Sequence, residues 1–167
     1  MPERRPVVQG LRVKYSGLFK SKELWKTMDS FLADNGFGDR VELTNDEVVK
    51  KDKKDVYVKY KPYKKVSDYV KIEFIIEYSL SNLVKKTVTK DGHKINLEQG
   101  DVDININGFI NTDYEGRWEN TPQSFFIRTI IDKFIFKTYT GKYEGEIKSL
   151  CYELKSEIES FLNIHRY

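Results

Sequence analysis

The longest one-sided pattern in the chain covers residues 141–162. Tyr143, Ile147, Leu150, Cys151, Leu154, Ile158, Phe161 and Leu162 fall at helical spacing on a single stripe. Glu146, Lys148, Ser149, Glu153, Lys155, Ser156, Glu157 and Glu159 fill the opposite face. A helix so one-sided needs a broad apolar surface to lie on, and the alternating segments before it predict one. Residues 7–19 alternate Leu11, Val13 and Tyr15 with Arg12, Lys14 and Ser16, the pattern of a half-buried strand. Ser21 reads as the cap of a helix that carries Leu24, Trp25, Met28, Phe31 and Leu32 on one face, and Asn35-Gly36 reads as its end.

Period-two segments follow. Residues 40–44 carry Val41 and Leu43 inward, and 55–61 carry Val56, Val58 and Tyr60. The strongest, 69–80, carries Val70, Ile72, Phe74, Ile76, Tyr78 and Leu80, while 101–110 carries Val102, Ile104 and Ile106. Between them, 84–90 and 94–97 flank Asp91-Gly92, a type I′ hairpin signal that sets Val88 opposite Ile95 on the core face. Residues 124–137 mix strand-like composition with a helical beat. Apolar pairs Phe126-Ile127, Ile130-Ile131 and Phe134-Ile135 are separated by Arg128-Thr129 and Asp132-Lys133, and Thr121-Pro122 precedes them as a helix start. The reading is helix, with its apolar residues buried between the sheet and the last helix.

The fold class expected is α+β: a twisted antiparallel β-sheet of about six to seven strands, packed with one helix in the N-terminal half and two C-terminal helices. The order is β-α-β(5-6)-α-α. Residues 1–6 read as a short disordered leader and 7–167 as a single domain, enough chain for one core. If 124–137 were a strand, the element order would be similar to the START-like (helix-grip) topology, in which a curved sheet wraps a long C-terminal helix. That resemblance would imply a cavity for an apolar ligand between sheet and helix.

Composition narrows the function classes. A charged fraction of 33% with 14% aromatic residues is that of a folded domain. The net charge of +3 does not by itself imply nucleic acid. The one cysteine, Cys151, lies on the apolar stripe and leaves no disulfide framework or thiolate metal site. The start has no apolar core of a signal peptide, and no run of about 18 apolar residues occurs, so a cytoplasmic location is expected.

Three stretches could carry chemistry. Residues 50–65 hold eight lysines with Tyr57, Tyr60 and Tyr63 interleaved. Lys53, Lys54, Tyr57, Lys59, Lys61, Tyr63, Lys64 and Lys65 would form a nucleic-acid surface through phosphate contacts and ring stacking. The competing reading is a solvated, lysine-guarded edge strand. Residues 103–111 place oxygen ligands at positions one, three and five (Asp103, Asn105, Asn107) and glycine at six. This resembles the start of an EF-hand or dockerin calcium loop. Position twelve is Tyr114, and the intervening Ile104 and Ile106 continue a strand alternation. The stretch therefore reads as an amphipathic strand with a bulge at Gly108, and no metal is expected.

The third stretch is the loop 111–120, where Asp113, Tyr114, Glu115, Arg117 and Trp118 gather as a ligand- or partner-binding set. Catalysis has little support. The histidines, His93 and His165, have no partner at motif spacing, and Glu73 and Glu77 read as solvent-facing carboxylates with ordinary pKa values. The function expected is a non-enzymatic intracellular binding module without cofactor. It would hold a protein partner, or a small apolar ligand between sheet and helices. Nucleic-acid binding through 50–65 and peripheral attachment to a membrane surface through 124–137 are the alternatives.

Overall fold

The computed structural model describes residues 3–112, Tyr114, five positions between 126 and 133, and 136–164; for 39–43, 136–140 and 164 the backbone alone is described. Strand β1 (Glu3–Phe19) leads into helix α1 (Ser21–Asp34). The meander β2 (Asp39–Lys50), β3 (Lys53–Lys65), β4 (Val70–Lys90) and β5 (His93–Thr112) follows, and the long helix α2 (Phe136–Ile164) comes last. The five strands form one antiparallel sheet in the order β1-β5-β4-β3-β2, so β5 lies between the first strand and its own hairpin partner.

The alternation puts Ile72, Phe74, Ile76, Tyr78 and Leu80 of β4 and Val102, Ile104, Ile106 and Ile110 of β5 on one face, all buried. Val58 and Tyr60 of β3 and Val8 and Val13 of β1 extend that face. Both helices cover it. Leu24, Met28 and Leu32 are the buried residues of α1, and Trp25 packs its ring on Tyr60 and Tyr78 at 5.0 and 5.5 Å. Helix α2 lays Ile147, Leu150, Cys151, Leu154, Ile158 and Leu162 over β1 and β5, beside α1. Gly108 of β5 sits beneath it. A Cβ at Gly108 would stand 2.6 Å from Ile147 Cγ2 and 3.0 Å from Cys151 Sγ. Arg5 to Glu144 at 3.2 Å and Lys64 to Glu146 at 3.1 Å pin the helix to β1 and β3.

The ends of α1 show how local chemistry sets an element. Gly36 adopts φ +85°. The Phe37 N–H then donates to Leu32 at 2.9 Å, and the Gly36 N–H to Ala33 at 3.0 Å, a closure that satisfies carbonyls the helix leaves open. Phe37 is thereby driven into the core, stacked on Phe74 at 4.7 Å. Ser21 does not cap the start as expected: it is the first helical residue, and its N–H donates to Glu98 Oε2 on β5 at 2.9 Å.

Several expectations are corrected. The sheet has five strands, because the segments 69–80 and 84–90 are one strand, as are 94–97 and 101–110. The irregularity between them is absorbed as a bulge: Asn82 takes φ +56°, and the pairing shifts between Ser81 and Val84. The bulges beside Gly108 belong to β1, whose register slips twice between Pro6 and Leu11. The expected leader joins the sheet from Glu3 onward, where Arg4 pairs with Asn111. Asp91 and Gly92 both have positive φ, and Val88 does lie opposite Ile95. Both are only half-buried, on an arm beyond the main core.

Two helices, α1 and α2, are described from end to end along the backbone. Most of 124–137 lies outside the described residues. Phe126, Ile127, Thr129 and Ile130 are helical, which removes the strand on which the START-like order rested. Phe126, Ile127 and Ile130 are exposed rather than buried against the sheet. No described helix is long and apolar enough to cross a membrane.

Candidate functional site

The helices cover one face of the sheet; the other carries the alternate residues. Cross-strand register arranges these in rows. Lys59, Glu77, Asn105 and Arg12 form one row from β3 to β1. Tyr63, Glu73, Phe109 and Pro6 form a second, and Lys65, Lys71, Asn111 and Arg4 a third at the end of the sheet.

In the first row Lys59 and Glu77 pair, and Arg12 turns to Asp103 beside the row. Lys59 lies 3.1 Å from Glu77 Oε1, and Asn105 Nδ2 donates to Glu77 Oε2 at 3.0 Å. Those two hydrogen bonds, Asn105 first, hold the Glu77 carboxyl below its ordinary pKa of 4.5. Further along, Ser16 and Asn82 donate to Asp101 and lower its pKa in the same way. Arg12 Nε stands 3.2 Å from Asp103 Oδ1 but off hydrogen-bonding alignment, and that oxygen, like Asn105 Oδ1, has no hydrogen-bond partner among the described residues.

The third row and its neighbours are different. Glu73 has no solvent exposure at all, although it lies on the face away from the helices. Burying a carboxylate is costly unless it is paired and hydrogen-bonded. Here Arg4 Nη2 donates to Oε1 at 2.6 Å and Asn111 Nδ2 to Oε2 at 2.8 Å. Lys61 Nζ lies 3.1 Å from Oε2 and Lys71 Nζ 3.9 Å. Three cations thus share one carboxylate.

Aromatic rings line the cluster. The Arg4 guanidinium lies 3.9 Å over the Phe109 ring. Lys71 Nζ lies 4.9 Å from the Tyr63 ring centre and 5.3 Å from that of Tyr114. Tyr114 is itself fixed, its hydroxyl donating to the Ser67 carbonyl at 3.0 Å. Lys71 is only 20% exposed. Burial chiefly, with Lys61, Lys65 and Arg4 adding to it and Glu73 opposing, pulls its pKa below the ordinary 10.5.

The structure therefore joins the ends of two of the three candidate stretches. Lys61, Tyr63 and Lys65 come from the lysine-tyrosine strand and Tyr114 from the loop. Asp113, Glu115, Arg117 and Trp118 lie outside the described residues. The other lysines disperse. Lys53 and Lys54 sit at the β2–β3 turn, with Lys54 2.6 Å from Glu47. Lys59 shares the open face with Tyr57, and Lys64 turns to Glu146 on the helix side. Arg4, Lys71, Glu73 and Asn111 are site residues that sequence reasoning missed. Contrary to expectation, Glu73 is buried and the Glu77 pKa is shifted. The alternation of β4 puts Lys71 on the same face as Glu73, whereas Arg4 and Asn111 join it only through the β1–β5 pairing.

The remaining titratable groups answer to their surroundings. Burial pushes the Cys151 thiol up to about 12 and the Tyr78 hydroxyl upward as well. His93 is exposed at the β4–β5 turn. Among the described residues no three His, Cys, Asp or Glu side chains gather as metal ligands, and Asp103, Asn105 and Asn107 are mid-strand positions of β5. A cleft of about 490 Å³ opens between the start of α1 and the β4–β5 arm, lined by Ser21, Lys22, Lys85, Lys86 and Leu97 among others. Compared with known protein families, curated proteins and solved structures, the chain matches none, so the site stands on its own geometry.

Proposed function

We propose that the chain is a non-enzymatic binding module that docks an acidic surface of a partner protein on the basic end of its open sheet face. The carrying observation is the convergence of Arg4, Lys61 and Lys71 on the single carboxylate of Glu73. Three positive charges less one negative leave an excess of two among these four residues. Tyr63, Phe109 and Tyr114 flank them, and aromatic and arginine side chains are the usual anchors of protein interfaces. The close approach of Ile147 and Cys151 to Gly108 packs α2 directly on β5, which favours a surface partner over an apolar ligand held inside. The nucleic-acid reading loses support because the lysines of 50–65 divide among three surfaces and, among the described residues, Lys50, Lys54, Lys59, Lys61 and Lys64 each lie against a carboxylate.

Fluorescence anisotropy with a labelled acidic peptide and a single-stranded oligonucleotide of equal length tests this. The acidic peptide should bind, weaken as salt rises, and release on Lys61→Glu. Oligonucleotide binding without peptide binding would return the nucleic-acid reading, and no binding of either would reject this face as a polyanion contact.

A further inference from the structure

Resting on that reading, we infer that Arg4, Lys61 and Lys71 form a receptor for one dianionic phosphoryl group, borne by a phosphorylated side chain of the partner. The first argument is charge. Arg4, Lys61, Lys71 and Glu73 alone carry an excess of two, with Lys65 also beside Lys71, and a phosphate monoester brings about −1.5 to −2 at neutral pH to meet it. A carboxylate or a nucleic-acid phosphodiester, each with one charge, would leave more of that excess unmet.

The second argument is unused donor capacity. Lys71 makes no hydrogen bond with a described residue. Its Glu73 contact, at 3.9 Å, is too long for one, and the Tyr63 and Tyr114 rings hold the ammonium by their faces without accepting a proton. Burial without an acceptor, beside three other cations, lowers the Lys71 pKa. An arriving dianion reverses that burden. Arg4 spends Nη2 on Glu73, and its planar fork holds further N–H donors.

The third argument is preorganisation. Glu73 is fully buried and anchors Arg4 and Lys61, Phe109 supports the guanidinium, and Tyr114 is tied to Ser67. Side-chain exposures of 42% for Arg4, 32% for Lys61 and 20% for Lys71 leave all three reachable from solvent. Charge-assisted contacts held ready in this way give phosphate recognition its strength.

The test uses the full chain and three Gly/Ser peptides that differ at one position: serine, glutamate or phosphoserine. Calorimetric or NMR titration should show the phosphoserine peptide binding at least about tenfold more tightly than the glutamate peptide, the ratio expected when a charge-assisted contact is gained. Lys71→Met and Arg4→Met should each cut that preference about tenfold, and Lys71→Arg should restore much of it. Amide shifts on the wild-type chain should cluster at Arg4, Lys61, Lys71 and Tyr114, a readout that stands if a variant does not fold. Equal affinity for glutamate and phosphoserine would overturn the phosphoryl assignment while leaving the acidic-surface reading intact; no binding of either peptide, with the labelled acidic peptide also unbound, would remove both. Inorganic phosphate binding as tightly as the phosphopeptide would overturn the partner-borne source, and so would an oligonucleotide that competes equally per phosphate.

Discussion

Gly108 lies where β5 passes under α2, and Ile147 and Cys151 occupy the space a side chain would need. Ile147 is β-branched and fully buried, so it has little freedom to give way. Gly108→Ala is expected to destabilise the fold by about 1–3 kcal/mol through overpacking, read as a lower denaturant midpoint at unchanged m-value. An unchanged midpoint would show that α2 can lift from the sheet at no cost. The sequence suggested a bulge here, because a glycine inside an alternating strand carries that signal; close approach by a helix leaves the same trace. The buried Glu73 was hidden for a related reason. Alternation tells which face a residue occupies, and nothing in it tells that arginine, lysine and asparagine from three other strands will close over one carboxylate.

At the scale of elements, long-range partners take over roles that look local. Glu98 of β5 accepts the Ser21 N–H at the start of α1, a place where a negative charge also suits the helix dipole. Glu98→Ala should cost about 1 kcal/mol and speed amide exchange in the first turn of α1 while leaving that of β3 unchanged. Protection in that turn equal to wild type would mean that Glu98 is not the cap. The α2 stripe, the α1 face and the Asp91-Gly92 turn were all legible, since each depends on periodicity or on two adjacent residues. The strand count was not. A bulge at Asn82 and a break between strands have the same local composition, and only pairing across to Gly100 and Asp101 separates them. Of the site, Lys61, Tyr63, Lys65 and Tyr114 could be named in advance, but not that the chain between Lys65 and Tyr114 folds so as to bring them together.

For the whole molecule, the open face is an array of carboxylates held ionised by their neighbours. Glu77, Asp101 and Asp55 each have a pKa below the ordinary value, through hydrogen bonds from Asn105 and Lys59, from Ser16 and Asn82, and from the Asn82 N–H and Lys50 respectively. A carboxyl whose folded pKa is depressed adds stability above its unfolded pKa and loses it as pH falls through the folded one. Melting temperature should therefore drop as pH falls below about 4.5, and Glu77→Gln should make that drop shallower; equal slopes in both proteins would show that Glu77 contributes nothing. The sheet order has a consequence of another kind. Thr112 of β5 and Glu3 of β1 are 109 positions apart in the chain yet adjacent in the sheet. During synthesis β1 emerges first, and its one described partner strand emerges last of the five. Until then its inward valines and its unpaired amides have no sheet to join, so the growing chain carries an open strand edge until β5 has been made.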